Sequence, residues 1–510
     1  MNGTNCFIFW RIEPDTSDKS SFWPGKKTRK SAMTKKILLA IAYTFLGSVL
    51  GILILYIYMM QNRPELFPWH KIHLQQEFTT KQLPQINSFT KYLSLENRLF
   101  DEMQDKIYRK KTNRQQFQLI RYDSGSLADP TSYDTNWNRS FELKQDDAKA
   151  GILLLHGLSD SPYSLRAIAE TLHKQGYYVL GLRMPGHGTI PSGLVDASWQ
   201  DMAAAVKLAA IHLSKQIGES SKFHIIGYSM GAAQAVYYSL DALHDTSLPR
   251  AKSLVLISPA IGVSSAAALA IWQSRLSVIP GLEKLAWNSI EPEYDPYKYT
   301  SFAVNAGDQM YRLTIAVGDK LSSLRDQDIL PEFPPTLAFM SAVDATVSVS
   351  AVVKSLLFKL RNDGNELVLF DINRINNVIP FLKQDPEDGL RKLLNDPNLN
   401  FRVSLLTNES GDSFTIHKLN RERNNTRSTR ELNLSWPGNV YSLSHVALPF
   451  SVADSLYGVR PDKKGGLHIG LLASKGERGI LSVPAGDMLR LRYNPFYAYL
   501  EQRTVNFLSQ

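Results

Sequence analysis

Ser229 stands in Gly227-Tyr228-Ser229-Met230-Gly231, between the apolar run 223–226 and the helix-favouring stretch 232–240. Strand, tight turn and helix in that order are what a nucleophile elbow requires: a hydroxyl raised on a strained apex, with glycines giving room on either side. A serine placed this way attacks carbonyl carbons. It needs a base, an acid to orient the base, and donors for the oxyanion that develops. The predicted donors are two backbone N–H groups, one from Met230 and one from Leu158, which lies in the loop after the apolar run Gly151-Ile152-Leu153-Leu154-Leu155.

Around such an elbow the acid, and then the histidine, follow the serine in the chain. Asp344 comes just past the apolar run 336–340, where a carboxylate can hold an imidazole in one tautomer. Its alternative role is to cap the helix expected near 348–359, and Asp371 is the rival acid. Three histidines follow Asp344. His417 alternates with apolar neighbours as a strand residue does, and His468 follows Gly465-Gly466-Leu467. His445 is the predicted base, because setting aside residues 372–441 as an insertion leaves it 31 positions after Asp344. That distance suits one helix, one strand and a loop. His156 and His187 precede the serine and read as loop-stabilising residues.

The elements that must position these groups are apolar runs at 151–155, 178–182, 223–226, 253–258, 336–340 and 366–371, all predicted strands. Shorter strands are expected at 117–122 and 141–144. The segment from about 262 to 331 is too long for a simple connection and is predicted to be a helical lid. In it Trp272, Ile279, Leu282, Leu285 and Trp287 offer apolar surface over the serine, with Trp272 and Trp287 as substrate-binding candidates. The alternative is that they fasten the lid to the body. The insertion at about 372–441 contains a predicted β-hairpin, 401–406 with 414–419, around Ser410-Gly411-Asp412.

Upstream, Ile37 to Met60 carries no charged residue in 24 positions, about 36 Å of helix against a bilayer core of about 30 Å. It is predicted to be a transmembrane signal anchor. The stretch is too long, and ends in residues too large, for a cleaved signal peptide. Lys26, Lys27, Arg29, Lys30, Lys35 and Lys36 precede it, and only Arg63 and Lys71 follow closely. The amino terminus is therefore expected in the cytoplasm and the rest of the chain outside it. Met33-Thr34-Lys35-Lys36 would serve equally well as a start. The expected plan is a basic segment 1–36, the span 37–60, a linker and amphipathic helix over 61–116, and a catalytic domain over 117–510. Tyr92, Leu95, Leu99, Met103 and Ile107 recur at helical spacing in that third part.

The stretch from Leu153 to Gly231 contains His156-Gly157-Leu158-Ser159-Asp160-Ser161-Pro162, Gly176-Tyr177, Pro185-Gly186-His187-Gly188-Thr189, Trp199-Gln200-Asp201 and the serine elbow. It resembles the bacterial monoacylglycerol lipase and carboxylesterase branch of the α/β-hydrolases, and the related serine aminopeptidase-like grouping also fits. The resemblance implies an α/β-hydrolase fold, a mostly parallel sheet flanked by helices. It also implies hydrolysis of short-chain or monoacyl esters, small molecules or lipids, by Ser229, Asp344 and His445 without metal or organic cofactor. The insertion before His445 and the anchor depart from the family pattern.

The first 36 residues hold eight basic and three acidic side chains, leaving +4 of the net charge of +9 for everything else. The basic balance therefore reads as a topology signal and not as a nucleic-acid footprint. The sole cysteine, Cys6, precedes the span, so the exported part can form no internal disulfide. Two other readings stay open: a peptidase or amidase acting on envelope peptides, and a hydrolase fold used as a non-catalytic binding module.

Overall fold

The computed structural model describes residues 27–109, 119–218, 222–262, 271–360, 363–459, 467–470, 490 and 492–510. Contacts divide the chain into two units, Met1–Asn62 and Arg63–Gln510. In the first, Lys27–Gln61 is a single helix. Its part Met33–Gln61 has a mean hydropathy of 2.4 and is long and apolar enough to cross a membrane.

The second unit is built on a sheet that opens with β1 (Phe141–Leu143), β2 (Gly151–Leu155), β3 (Tyr178–Leu182), β4 (Phe223–Tyr228) and β5 (Ser253–Ile257). A separate antiparallel pair, β6 (Trp287–Ser289) and β7 (Phe302–Ala303), intervenes. The main sheet then resumes with β8 (Thr336–Ser341), β9 (Glu366–Phe370), β10 (Arg402–Asn408), β11 (Thr415–Arg421) and β12 (Arg427–Ser435). Strand order is β1-β3-β2-β4-β5-β8-β9-β10-β11-β12, parallel from β3 to β10 and antiparallel at both ends.

Every residue of β2, β3, β4, β5, β8 and β9 is buried, as expected of parallel strands covered on both faces. Because side chains alternate along a strand, each strand feeds two cores. Leu153, Ile225, Leu254, Ala338 and Leu367 meet the helices Trp199–Ile217, Met230–His244 and Val304–Asp326. Their neighbours Ile152, Ile226, Val255, Leu337 and Val368 meet Arg166–Lys174 and the terminal helix Tyr497–Leu508. The helix Trp199–Ile217 starts where it does because Ser198 and Asp201 cap each other reciprocally. It stops at Gly218, whose φ of 88° leaves the helical region.

Several expectations change on folding. Residues 119–122 are irregular, so the strand expected at 117–122 is absent there, and 117–118 lie outside the described residues. The hairpin around residues 410–412 forms, but β10 pairs in parallel with β9 and a third strand, β12, follows. The expected insertion is thus an extension of the main sheet. The expected lid is helical only in part. Of its described residues, 271–276 form a short helix, 287–303 carry the small β-pair, and Val304–Asp326 is a body helix packed on Met230–His244. Lys320 bonds Asp241 at 2.5 Å across that contact. The segment Tyr294-Asp295-Pro296-Tyr297, within the expected lid, is a buried loop whose Tyr297 stacks on Tyr163 at 4.0 Å.

The segment expected to be a linker is also docked. Trp69 and Phe78 are buried, and the helix Phe89–Met103 presents Phe89, Tyr92, Leu95 and Leu99 to the body. At its centre is Arg183, 1% exposed, held by Glu77 at 2.9 Å and by Glu96 at 3.1 Å. Glu96 also accepts from the N–H and hydroxyl of Ser140. Burying that guanidinium is tolerable only with both carboxylates in place. Glu96→Ala should therefore lower the unfolding free energy of the full chain in detergent by about 3 to 5 kcal/mol, read from its denaturant midpoint. A change under about 1 kcal/mol would mean that Glu77 alone satisfies Arg183.

Candidate active site

The elbow forms at the end of β4. Ser229 has φ 54° and ψ −114°, a conformation that costs a non-glycine residue about 1 to 3 kcal/mol and persists only where the surroundings enforce it. The enforcement is visible. The Ser229 N–H donates to the Ile257 carbonyl at 2.9 Å, and its own carbonyl accepts from Ala232 and Ala260. A Cβ on Gly231 would lie 2.0 Å from the Leu155 carbonyl oxygen, and one on Gly227 would lie 2.5 Å from Ala232 Cα. Only glycine fits at either position.

Met230 opens the helix that follows, so its N–H has no acceptor within that helix and points out of the positive end of the helix dipole. Leu158 follows Gly157, whose backbone runs so close to the elbow that a Cβ there would sit 2.9 Å from the Tyr228 ring and 3.3 Å from Ser229 Cβ. The loops carrying the two expected oxyanion donors therefore flank the serine. His156 holds this arrangement from below. Its Nδ1–H donates to the Gly157 carbonyl at 2.9 Å and its Nε2 accepts from the Met184 N–H at 3.0 Å. Burial, reinforced by nearby His187, pushes its pKa well below the ordinary value, so it is a neutral strut. His187 is likewise buried, with its pKa lowered to about 3, and donates to the Pro185 carbonyl.

His445 opens a short turn, His445–Ala447, and is 5% exposed. Its Nε2 lies 3.1 Å from Ser229 Oγ and its Nδ1 lies 2.8 Å from Asp344 Oδ2. Burial opposes the ionisation of Asp344. The hydrogen bond and charge of His445, with the N–H groups of Val347 and Thr346, outweigh it and hold the pKa below the usual carboxylate range. Those two N–H groups bond Oδ1 at 3.0 and 2.8 Å, which leaves Oδ2 for the imidazole. Asp344 is thus both a turn residue and the partner of His445. Asp371 is engaged elsewhere: buried, it bonds Arg374, the Thr407 hydroxyl and the Ile372 N–H.

The other candidates stand apart. His417 lies in β11 opposite Thr407, and the Nδ1–H of His468 donates to the Ser455 carbonyl. Trp287 is 1% exposed, meets the edge of His70 at 4.8 Å, and accepts from Arg63 through its carbonyl. It is packed among Leu66, Leu194 and Ala303, so it fastens the connection to the body and offers no open surface. The Trp272 side chain lies outside the described residues. Tyr228 had no role in the sequence reading. Its hydroxyl donates to the His445 carbonyl at 3.4 Å and its ring lies 5.5 Å from the imidazole, so it braces the histidine turn. Its place inside the elbow pentapeptide was the available signal. Among the described residues, no three His, Cys, Asp or Glu side chains converge as a metal site.

An imidazole between a hydroxyl and a carboxylate can take the hydroxyl proton as attack begins and return it to a leaving group. Comparison with known proteins gives the following likenesses. Residues 146–351 match the family model described as serine aminopeptidase, S33. The chain is 30% identical over 92 residues to a thermostable monoacylglycerol lipase from Bacillus sp. (strain H-257), covering 18% of this chain. The match spans about a third of that relative, 36% of its length. Among solved structures, a Paleococcus ferrophilus monoacylglycerol lipase aligns at 18% identity and a TM-score of 0.35, over 46% of this chain and 88% of its own. One of the metagenome-derived lipolytic enzymes LipS and LipT aligns at 18% identity and a TM-score of 0.35, over 50% of this chain and 96% of its own. Those scores are too low to bear on the fold, which the strand order and the elbow establish. The chain has the α/β-hydrolase fold, its residues 146–351 match the serine aminopeptidase S33 model, and it is similar to the monoacylglycerol lipase and esterase branch.

Proposed function

We propose that this protein is a membrane-anchored serine hydrolase of carboxylic esters. One observation carries the reading: a single imidazole lies within hydrogen-bonding distance of both Ser229 and Asp344. In the reaction, His445 Nε2 takes the Ser229 proton as Oγ attacks the ester carbonyl. The N–H groups of Leu158 and Met230 receive the oxyanion. His445 then gives the proton to the departing alcohol, and a water activated by the same imidazole releases the acid from the acyl-enzyme. Asp344 orients the ring and balances its positive charge.

The 92-residue likeness to a monoacylglycerol lipase favours monoacyl esters as substrates. The name of the matched family model supports a rival reading, aminopeptidase chemistry, for which the same three side chains would serve. The helix Met33–Gln61, with the basic residues before it, supports an anchor whose amino terminus stays cytoplasmic.

Ser229→Ala should abolish both turnover of a short p-nitrophenyl ester and labelling by a fluorophosphonate while the thermal midpoint is retained; labelling that persists would place the nucleophile elsewhere. Asp344→Asn should reduce kcat by about 10³ to 10⁴-fold, the scale expected when the imidazole loses its orienting carboxylate. Asp371→Asn should keep kcat within about threefold and act on stability, since it removes the buried carboxylate that Arg374 and the Thr407 hydroxyl bond; the reverse pattern would exchange the two acids. Assayed beside monoacylglycerols, aminoacyl amides should be the poorer substrates, and their preference would favour the rival. Protease added outside intact spheroplasts should digest the unit Arg63–Gln510, and full protection would reverse the topology.

A further inference from the structure

A cavity of about 310 Å³ opens at the edge of the sheet opposite to Ser229, among Lys149, Tyr177, Lys222, His224, Lys252 and the end of the terminal helix. The strand order puts it there. Lys149 comes two residues before β2, Tyr177 and Lys222 directly precede β3 and β4, His224 is the second residue of β4, and Lys252 directly precedes β5. These are four neighbouring parallel strands, so their starting ends converge on one space, while Ser229 and Asp344 follow the opposite ends of β4 and β8.

The polar groups of this wall are unmatched. No carboxylate side chain lines the cavity, and among the described residues none of the three lysines forms an ion pair. Lys149 and Lys222 are exposed, Lys252 is half-buried, and the stem of Lys149 lies across Gly176, where a Cβ would meet its Cε at 3.4 Å. Beneath them His224 is 2% exposed and bonds Ser253 Oγ through Nδ1 at 2.7 Å. Burial, with the charges of Lys252 and Lys222, lowers its pKa to about 4, so the imidazole is neutral. With Ser253 donating to Nδ1, the ring proton sits on Nε2, which, like the hydroxyl of the adjacent Tyr177, has no partner among the described residues.

Negative charge near the lysines is too small to balance them. The helices Arg166–Lys174 and Tyr497–Leu508 both end here, each contributing about half a negative charge through its last carbonyls. Gln510, exposed after Ser509, adds at most one carboxylate. Three ammonium groups exceed that sum. Val505 and Leu508 meanwhile give the cavity an apolar side, and its volume lies at the lower end of the range of about 300–1,000 Å³ usual for small-molecule sites.

We propose that this cavity is a second ligand site, apart from the catalytic residues, and that it takes a phosphate monoester with an apolar part. The phosphate oxygens would accept from the lysines, His224 and Tyr177, and the apolar part would lie against Val505 and Leu508. No bond is made or broken there, and the inference stands independently of the ester-hydrolase reading.

Calorimetric titration of the full chain in neutral detergent, at fixed ionic strength, should show one saturable site for phenyl phosphate and weaker binding of inorganic phosphate. Lys222→Gln and Lys252→Gln should each weaken phenyl phosphate by about tenfold, the scale of one charge-assisted hydrogen bond, and added salt should weaken it further. Ser229→Ala should leave the affinity unchanged, which separates this result from the fate of the hydrolase reading. Micelles doped with phosphatidate that displace phenyl phosphate would assign the site to a lipid head group, and failure to displace it would assign a soluble ester; either upholds the site. Absence of saturable binding, or an affinity that neither lysine substitution moves, would overturn it.

Discussion

One tight backbone contact underlies the arrangement around Ser229. The helix that begins at Met230 comes so near to the end of β2 that a single methyl group on Gly231 would collide with two carbonyl oxygens, those of Leu155 and His156. This contact ties the turn carrying Ser229 to the loop carrying Leu158, so Ser229 and both N–H groups proposed to receive an oxyanion belong to one tightly packed piece of backbone. The strain at Ser229 is stored in the same piece, held by the Ile257 carbonyl and by the all-round burial of β4.

Onto that piece the sheet delivers the other two side chains from separate directions. Asp344 sits in the turn just beyond β8, two strands from β4, and two backbone N–H groups aim its free oxygen. His445 travels much farther. The chain runs out through β9, β10, β11 and β12 and then returns across the sheet ends, tied down where Asn373 bonds the Tyr441 and Val440 carbonyls. Trp436 and Leu443 join the core under the terminal helix along this return path. The long excursion before the histidine therefore enlarges the sheet and leaves the geometry at the serine intact.

Residues 63–109 bind the same body from outside. Arg183 at the end of β3 takes Glu77 and Glu96 from this segment and also bonds the His187 carbonyl, so the loop packed against His156 depends on chain that precedes the sheet. Farther along, Arg63 bonds the Trp287 carbonyl and Lys284 bonds the Arg63 carbonyl. The first residues of this unit thereby clasp the connection between β5 and β8.

Much of this was legible in one dimension. The buried parallel strands appear as unbroken apolar runs because both of their faces are covered, and the elbow is legible because its Gly-x-Ser-x-Gly pattern is local, although the contact that excludes a side chain at Gly231 comes from Leu155 and His156. The choices of Asp344 and His445 followed from chain order and spacing. Other features were illegible for a physical reason: they depend on partners distant in sequence. Trp287 looks like a greasy lid residue until Leu66 and Leu194 close over it, and residues 64–84 look like a polar linker until Glu77 finds Arg183. β12 is polar along most of its length because it lies at the sheet edge, so it lacks the apolar signature that marked its neighbours. The sequence by itself determined the elbow around Ser229, the order of the strands' apolar runs and the apolar helix, since local pattern suffices for each. Tertiary structure alone decided that Asp371 is engaged by Arg374 and Thr407 and that Trp287 is enclosed, since both depend on contacts that no local pattern encodes.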